Sequence, residues 1–167
     1  MEMSVRKLGS CFRTVLFALC LIPSAYAATT AAPEFELPTG SGKINLAGFK
    51  GKVVYLDFWA SWCAPCRKSF PWMNEMERRY DSDGLVVVAV NLDKERDLAE
   101  QFLHDVPARF TVAYDPEGKV AERYGVQGMP SSILIGRDGK VIGTHLGFRT
   151  DDISELEKTL KTALGQK

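Results

Sequence analysis

Apolar residues fall in two rhythms along this chain. Val53 to Trp59 and Leu85 to Val90 are near-continuous apolar runs, broken by a single charge at Asp57. Such runs have the length and β-branched content of strands buried on both faces. Elsewhere apolar side chains recur at helical spacing. Phe70, Met73 and Met76 predict a helix from Cys63 to about Tyr80, and Leu98, Phe102 and Leu103 predict one from Lys94 to Leu103. Ile153, Leu156, Leu160 and Leu164 form the buried stripe of a last helix capped by Thr150, with Asp151 and Asp152 in its first turn. Pro71 is expected to kink the first helix, because it has no N–H for the ladder. Phe35–Leu37 and Lys43–Leu46 flank a Pro/Gly cluster and predict a β-hairpin. Phe110 to Tyr114 is a short strand, followed by a small helix from Pro116 through Val120 and Tyr124 that Gly125 ends. Ser131–Ile135 and Val141–Leu146 form a second hairpin across Asp138-Gly139. After the first hairpin the order is β-α-β-α-β-α-β-β-α, which predicts an α/β fold with a mixed sheet between helices.

The N-terminus follows neither rhythm. Arg6, Lys7 and Arg13 precede an uncharged apolar stretch from Val15 to Ile22, Pro23 and the small-x-small triplet Ala25-Tyr26-Ala27. This is the pattern of a signal peptide cleaved after residue 27, and its apolar core is short for a spanning helix of ~20 residues. An uncleaved N-terminal anchor is the alternative. Residues 28–34 read as a small-residue linker and residues 35–165 as one domain, within the size a single core supports. Removing residues 1–27 takes Cys11 and Cys20 away and leaves Cys63 and Cys66. Of 21 basic and 21 acidic residues the segment holds Arg6, Lys7, Arg13 and Glu2, so the remainder carries a net charge near −2. That balance gives no electrostatic footprint for nucleic acid or an anionic membrane surface. Two cysteines are too few for a disulfide scaffold, and a lone close pair in an exported chain reads as working chemistry.

That pair sits in Trp62-Cys63-Ala64-Pro65-Cys66, after a strand and before a helix. A sulfur at a helix N-terminus meets unpaired backbone N–H groups and the positive end of the dipole, which lowers a thiol pKa from ~8.5 toward ~7. Cys63 is expected to be the attacking nucleophile and Cys66 the thiol that resolves the mixed disulfide. No separate cofactor is needed for this exchange. The rival reading is a Cu(I)-binding metallochaperone using the same two sulfurs. Two thiolates can hold Cu(I), whereas a closed zinc site wants four ligands. Asp57 lies inside an apolar run, where a charge is costly unless it is partnered or neutral. Arg67 and Lys68 read as a solvated helix face, and His104 and His145 as surface or structural histidines.

Asp57-Phe58-Trp59-Ala60-Ser61-Trp62-Cys63-Ala64-Pro65-Cys66, with Met129-Pro130-Ser131 farther on, resembles the thioredoxin superfamily. The N-terminal segment, the first hairpin and the extra helix–strand unit between Asn91 and Tyr114 resemble its exported TlpA/ResA branch, which includes reductases of cytochrome c assembly. The resemblance implies a thioredoxin fold and thiol-disulfide oxidoreductase activity in the periplasm. It implies a cis-Pro130 packed against the Cys63–Cys66 disulfide, and Met129 presenting its backbone to substrate. Trp62, Ala64 and Pro65 complete the expected substrate-binding surface. Asp57 is expected beneath the cysteines as the base for Cys66; the plainer alternative is an acid hydrogen-bonded at a strand edge. Many members of the branch carry Glu three residues after the second cysteine, where this chain has Ser69. The implied partners are disulfides of exported proteins, apocytochrome c or copper-site proteins among them, and a membrane thiol reductase as electron donor. The chain is expected to act as a monomer.

Overall fold

The computed structural model describes Met1 and residues 30–166; apart from Met1, the expected signal peptide lies outside the described residues. β1 (Glu36–Pro38) and β2 (Lys43–Asn45) form the predicted antiparallel hairpin. β3 (Val53–Trp59), β4 (Leu85–Asn91), β5 (Thr111–Tyr114), β6 (Ser131–Ile135) and β7 (Val141–Leu146) form one sheet in the order β5-β4-β3-β6-β7. The first three run parallel, and β6 and β7 are antiparallel to their neighbours. The helices are α1 (Cys66–Tyr80), α2 (Arg96–Asp105), α3 (Lys119–Arg123) and α4 (Ile153–Leu164). The fold is therefore the expected mixed sheet flanked by helices, with the N-terminal hairpin and the α2–β5 insertion.

β3 is the middle strand, and all seven of its residues are buried. Side chains alternate across a strand. Tyr55 and Trp59 pack on one face with Phe70, Met73, Phe102 and Leu160, so α1, α2 and α4 cover that side. Val54, Leu56 and Phe58 pack on the other with Phe35, Leu37 and Val120, under the hairpin and α3. Trp59, Phe70 and Phe102 form an aromatic cluster with centroids 4.6–5.0 Å apart, a geometry that adds to plain burial.

The structure corrects several local expectations. α1 starts at Cys66, not Cys63, with Pro65 at its N-cap; the residue before a proline is biased away from helical angles, which keeps Ala64 out of the helix. Pro71 lies inside α1 without ending it, and the Arg67 carbonyl that Pro71 cannot satisfy belongs to an exposed residue, within reach of water. α2 starts two residues late, and its inward stripe is Ala99, Phe102 and Leu103; Leu98, one residue off that stripe, is 46% exposed. Thr150 opens a short 3-10 turn and makes no side-chain cap to α4. Residues 30–34 are docked and are not a free linker: Ala32 N–H donates to Gly139 O, Val141 N–H to Thr30 O, and Tyr124 Oη to Pro33 O.

Phe70→Ala is expected to cost about 3–5 kcal/mol, because it removes the ring at the centre of the aromatic cluster. Leu98→Ala is expected to cost about 0.5 kcal/mol or less. Denaturant unfolding of the two variants checks the contrast.

Candidate active site

β3 ends at Trp59, and residues 60–65 turn the chain into α1. The turn is pinned from β4. Asp93 accepts from Ser61 N–H (2.8 Å), Ser61 Oγ (2.9 Å) and Asn91 Nδ2 (2.7 Å), while Leu92 N–H donates to Trp59 O. Cys63 and Cys66 are joined as a disulfide with their Cα atoms 5.3 Å apart. Cys63 is 3% exposed and Cys66 is fully buried, so an incoming group meets Cys63 first. The first N–H groups of α1 are not free, contrary to the sequence expectation. Cys66 N–H donates to Cys63 O, Arg67 N–H to Ala64 O and Lys68 N–H to Pro65 O. The tight turn that holds the cysteines together consumes these donors, leaving the helix dipole as the backbone's main contribution at Cys63.

The Met129–Pro130 bond is cis. Phe58 pairs with Ser131, which places buried Pro130 at the end of β3 where the cysteine turn begins. Gly147 N–H donates to Pro130 O (2.7 Å), and Ser131 Oγ to Gly128 O (2.7 Å), fixing the loop from both sides. Trp62 is 71% exposed, Ala64 is exposed, and Pro65 and Met129 are half-buried. Trp62 and Met129, with Leu92, Ala121 and Val126, line a groove of about 430 Å³. An apolar rim thus borders the more accessible cysteine.

Asp57 is buried to 1% exposure on the sheet face shared with Tyr55, Trp59 and the cysteines. Its Oδ1 accepts from Ser132 Oγ (2.8 Å), and Ser132 Oγ accepts from Tyr55 Oη (2.7 Å). Oδ2 has no hydrogen-bond partner among the described residues. Burial pushes the carboxyl up to about 7, with the Ser132 hydrogen bond pulling the other way. Burial and the neighbouring Asp57 charge together raise the Tyr55 phenol well above its ordinary value. The acid therefore sits in the interior of the central strand, not at an edge. Glu77, on α1, accepts from Val87 N–H (2.7 Å), and burial pushes it too up to about 7.

Other sequence candidates lie apart. Arg67 pairs with Asp105 (3.1 Å) and stacks over Phe102, and His104 is exposed. Ser69 is buried and donates to Cys66 O (3.1 Å). Among the described residues no three His, Cys, Asp or Glu side chains gather as a metal-ligand set. Sequence reasoning missed Ser132, Tyr55 and Asp93. Ser132 had a usable signal, since it stands two residues after Pro130 and antiparallel pairing there brings it opposite Asp57.

The folded chain holds the Asp57 proton more tightly than the unfolded chain does. Its contribution to stability is complete below about pH 4 and is lost as the pH rises through about 7. Asp57→Asn, in the oxidised protein, is therefore expected to be more stable than the parent at pH 8 by up to about 4 kcal/mol and to gain little at pH 4. Denaturant unfolding at the two pH values measures the difference.

A family model described as Redoxin matches residues 27–160. The thiol-disulfide oxidoreductase ResA of Bacillus thuringiensis subsp. konkukian is 40% identical over 131 residues, covering 78% of this chain and 75% of that protein. ResA of Bacillus subtilis is 36% identical over 123 residues, covering 73% and 69%. A crystal structure described as a thiol:disulfide interchange protein DsbE from Chlorobium tepidum superposes with a TM-score of 0.81 at 54% identity, covering 82% of this chain and 97% of that one. These matches span the strand, the cysteine turn and the cis-proline loop whose geometry is described above, and with them the chain belongs to the Redoxin family as a thioredoxin-fold thiol-disulfide oxidoreductase of the ResA type.

Proposed function

We propose that the protein reduces disulfides of exported proteins in the periplasm, with Cys63 as nucleophile, Cys66 as resolving thiol and Asp57 as base. The Cys63 thiolate attacks one sulfur of a substrate disulfide; a Cys63–substrate disulfide forms, and the other substrate sulfur leaves as a thiolate that takes a proton from water. Cys66 then passes its thiol proton to Asp57, and its sulfur attacks Cys63. The Cys63–Cys66 disulfide closes, the second substrate thiolate leaves, and two electrons have moved from protein to substrate. Trp62, Ala64, Pro65, the Met129 backbone and Pro130 form the surface on which an extended substrate chain lies. The cysteine pair needs no added cofactor. A membrane thiol reductase returns it to the dithiol, and the protein works as a monomer without nucleic acid.

The direction rests on how little holds a thiolate at Cys63. The Cys63 N–H and the first N–H groups of α1 are paired with carbonyls. Arg67 is spent on Asp105. Ala64-Pro65 supplies no cation between the cysteines. A strongly oxidising couple is one whose reduced form is heavily stabilised; without those contacts the dithiol gives up its electrons more readily. Substrates of this reading are cysteine pairs awaiting a ligand, as in apocytochrome c or copper-site proteins. The basic and apolar pattern of residues 1–27 supports the compartment.

Cys63→Ser is expected to abolish insulin-disulfide reduction, and Cys66→Ser to accumulate mixed disulfides with envelope proteins. Asp57→Asn is expected to slow mixed-disulfide resolution about 100-fold and to move its pH dependence upward, toward that of an unassisted thiol. Equal activity of the two cysteine variants overturns the order of attack. Tight Cu(I) binding without disulfide reduction overturns the function.

A further inference from the structure

The proton that Asp57 takes from Cys66 must leave a side chain that has 1% of its surface exposed. Three features of the fold meet at this requirement. Strand alternation puts Tyr55 and Asp57 on one face of β3, two residues apart, and register puts Ser132 of β6 directly opposite Asp57. The three polar atoms form a continuous line, Tyr55 Oη to Ser132 Oγ at 2.7 Å and Ser132 Oγ to Asp57 Oδ1 at 2.8 Å. Tyr55 and Ser132 also line a cavity of about 320 Å³ between the β6–β7 hairpin and α4, and that cavity includes neither cysteine. A water occupies about 30 Å³ in the liquid, and this cavity offers hydroxyl and imidazole partners to hold one.

We propose that Ser132 and Tyr55 carry protons between Asp57 and the cavity beneath α4, so that the acid recharges through the helix-covered side of the sheet and not past the disulfide. This rests on Asp57 acting as the base. With Asp57 ionised, both hydroxyls point inward, Tyr55 to Ser132 and Ser132 to Asp57. Once Asp57 has accepted the Cys66 proton, both hydroxyls first rotate outward, Ser132 toward Tyr55 Oη and Tyr55 toward the cavity; the Asp57 O–H then passes its proton to Ser132 Oγ, Ser132 passes its own to Tyr55 Oη, and Tyr55 passes its proton to water. Each hydroxyl gains one proton and loses one, and the transfer leaves both pointing inward again. A phenol whose ionisation is pushed well upward remains a hydroxyl throughout, as a relay of this kind requires.

The charges around the path suit an exit at that end. On β4 the residue opposite Asp57 is Ala89, which cannot titrate, and α1 contributes Cys66. Across the cavity stand His145, Asp151, Asp152 and Glu155. His145 Nε2 lies 3.5 Å from Asp152 Oδ2 and is buried with no hydrogen bond among the described residues.

The test uses the full-length oxidised protein and follows the infrared band of the protonated Asp57 carboxyl, identified by its loss in Asp57→Asn, after a laser-induced pH jump. Tyr55→Phe keeps the ring packed against Trp72 (5.4 Å between centroids) and removes only the outer hydroxyl. Relaxation of the band is expected to slow about tenfold or more in Tyr55→Phe and Ser132→Ala, the factor by which one lost hydrogen bond in a transfer path slows a rate. Ser132→Thr is expected to restore it. A hydroxyl that merely tuned the equilibrium would shift the midpoint of the band and leave its relaxation rate unchanged. The two readings fail separately. Asp57→Asn resolving mixed disulfides at the parental rate overturns the base, and an unslowed relaxation in both hydroxyl variants overturns the relay.

Discussion

A carboxyl group in the middle of the central strand constrains what surrounds it. β3 is buried on both faces, and an ionised side chain there gives up its hydration. One hydroxyl, that of Ser132, is all that the protein's described side chains offer Asp57 in return. The outcome is a carboxyl poised near 7, a value that gives neither state a commanding majority near neutrality. A group in that range can accept a proton from a thiol at one step and release it at the next, which a solvated aspartate near 3.8 would do poorly.

Around this acid the working surface is assembled from segments some seventy residues apart in the chain. The β3–β6 pairing brings Pro130 to the cysteine turn and Ser132 to Asp57 in one stroke, because consecutive same-face positions of β6 follow the cis-proline directly. The β3–β4 pairing brings Asp93 over Ser61 and holds the turn that presents Cys63. Both anchors come from the interior of a sheet whose neighbouring strands are themselves buried. The sulfurs, the cis-proline loop and the acid are therefore fixed relative to one another by backbone pairing rather than by flexible side chains, as a site that must align three sulfurs in turn requires.

Much of this was legible in the sequence. The long strands and helices had a period that could be read, the short ones (β1, β2 and α3, three to five residues each) were marked only by their flanking turns, and the cysteine turn, Asp57 and the Met129-Pro130 loop were visible as short motifs. The misses share a cause. Leu98 is as apolar as Phe102, but which of them turns inward depends on where α2 starts, and Glu95 carries no capping side-chain bond to mark that start. Residues 30–34 are small and nondescript; what docks them is backbone pairing to the Gly139 turn, which leaves no trace in side-chain pattern. Ser132 reads as the polar start of a strand until the register is known. Asp93 lies in a charged run that reads as helix start, while in the fold it closes the end of β4.

The position of the acid has a consequence for how the two halves of the chemistry are divided. Where many members of the branch it resembles carry a glutamate on the helix, this chain has Ser69, whose hydroxyl is turned back onto the Cys66 carbonyl. The helix thus contributes sulfur and dipole but no carboxyl beside the cysteines, and the turn at its start has already paired its N–H groups. Thiolate stability, and with it the readiness to give electrons, is set by the turn and its sparse cations. Proton affinity is set independently by the strand, through burial of Asp57 and one hydrogen bond from β6. A change in the dipeptide between the cysteines moves the first without touching the second, and a change at Ser132 does the reverse. The strand acid is backed by hydroxyls that reach the α4 side of the site, a path that the proposed relay assigns to protons and that does not pass the sulfurs.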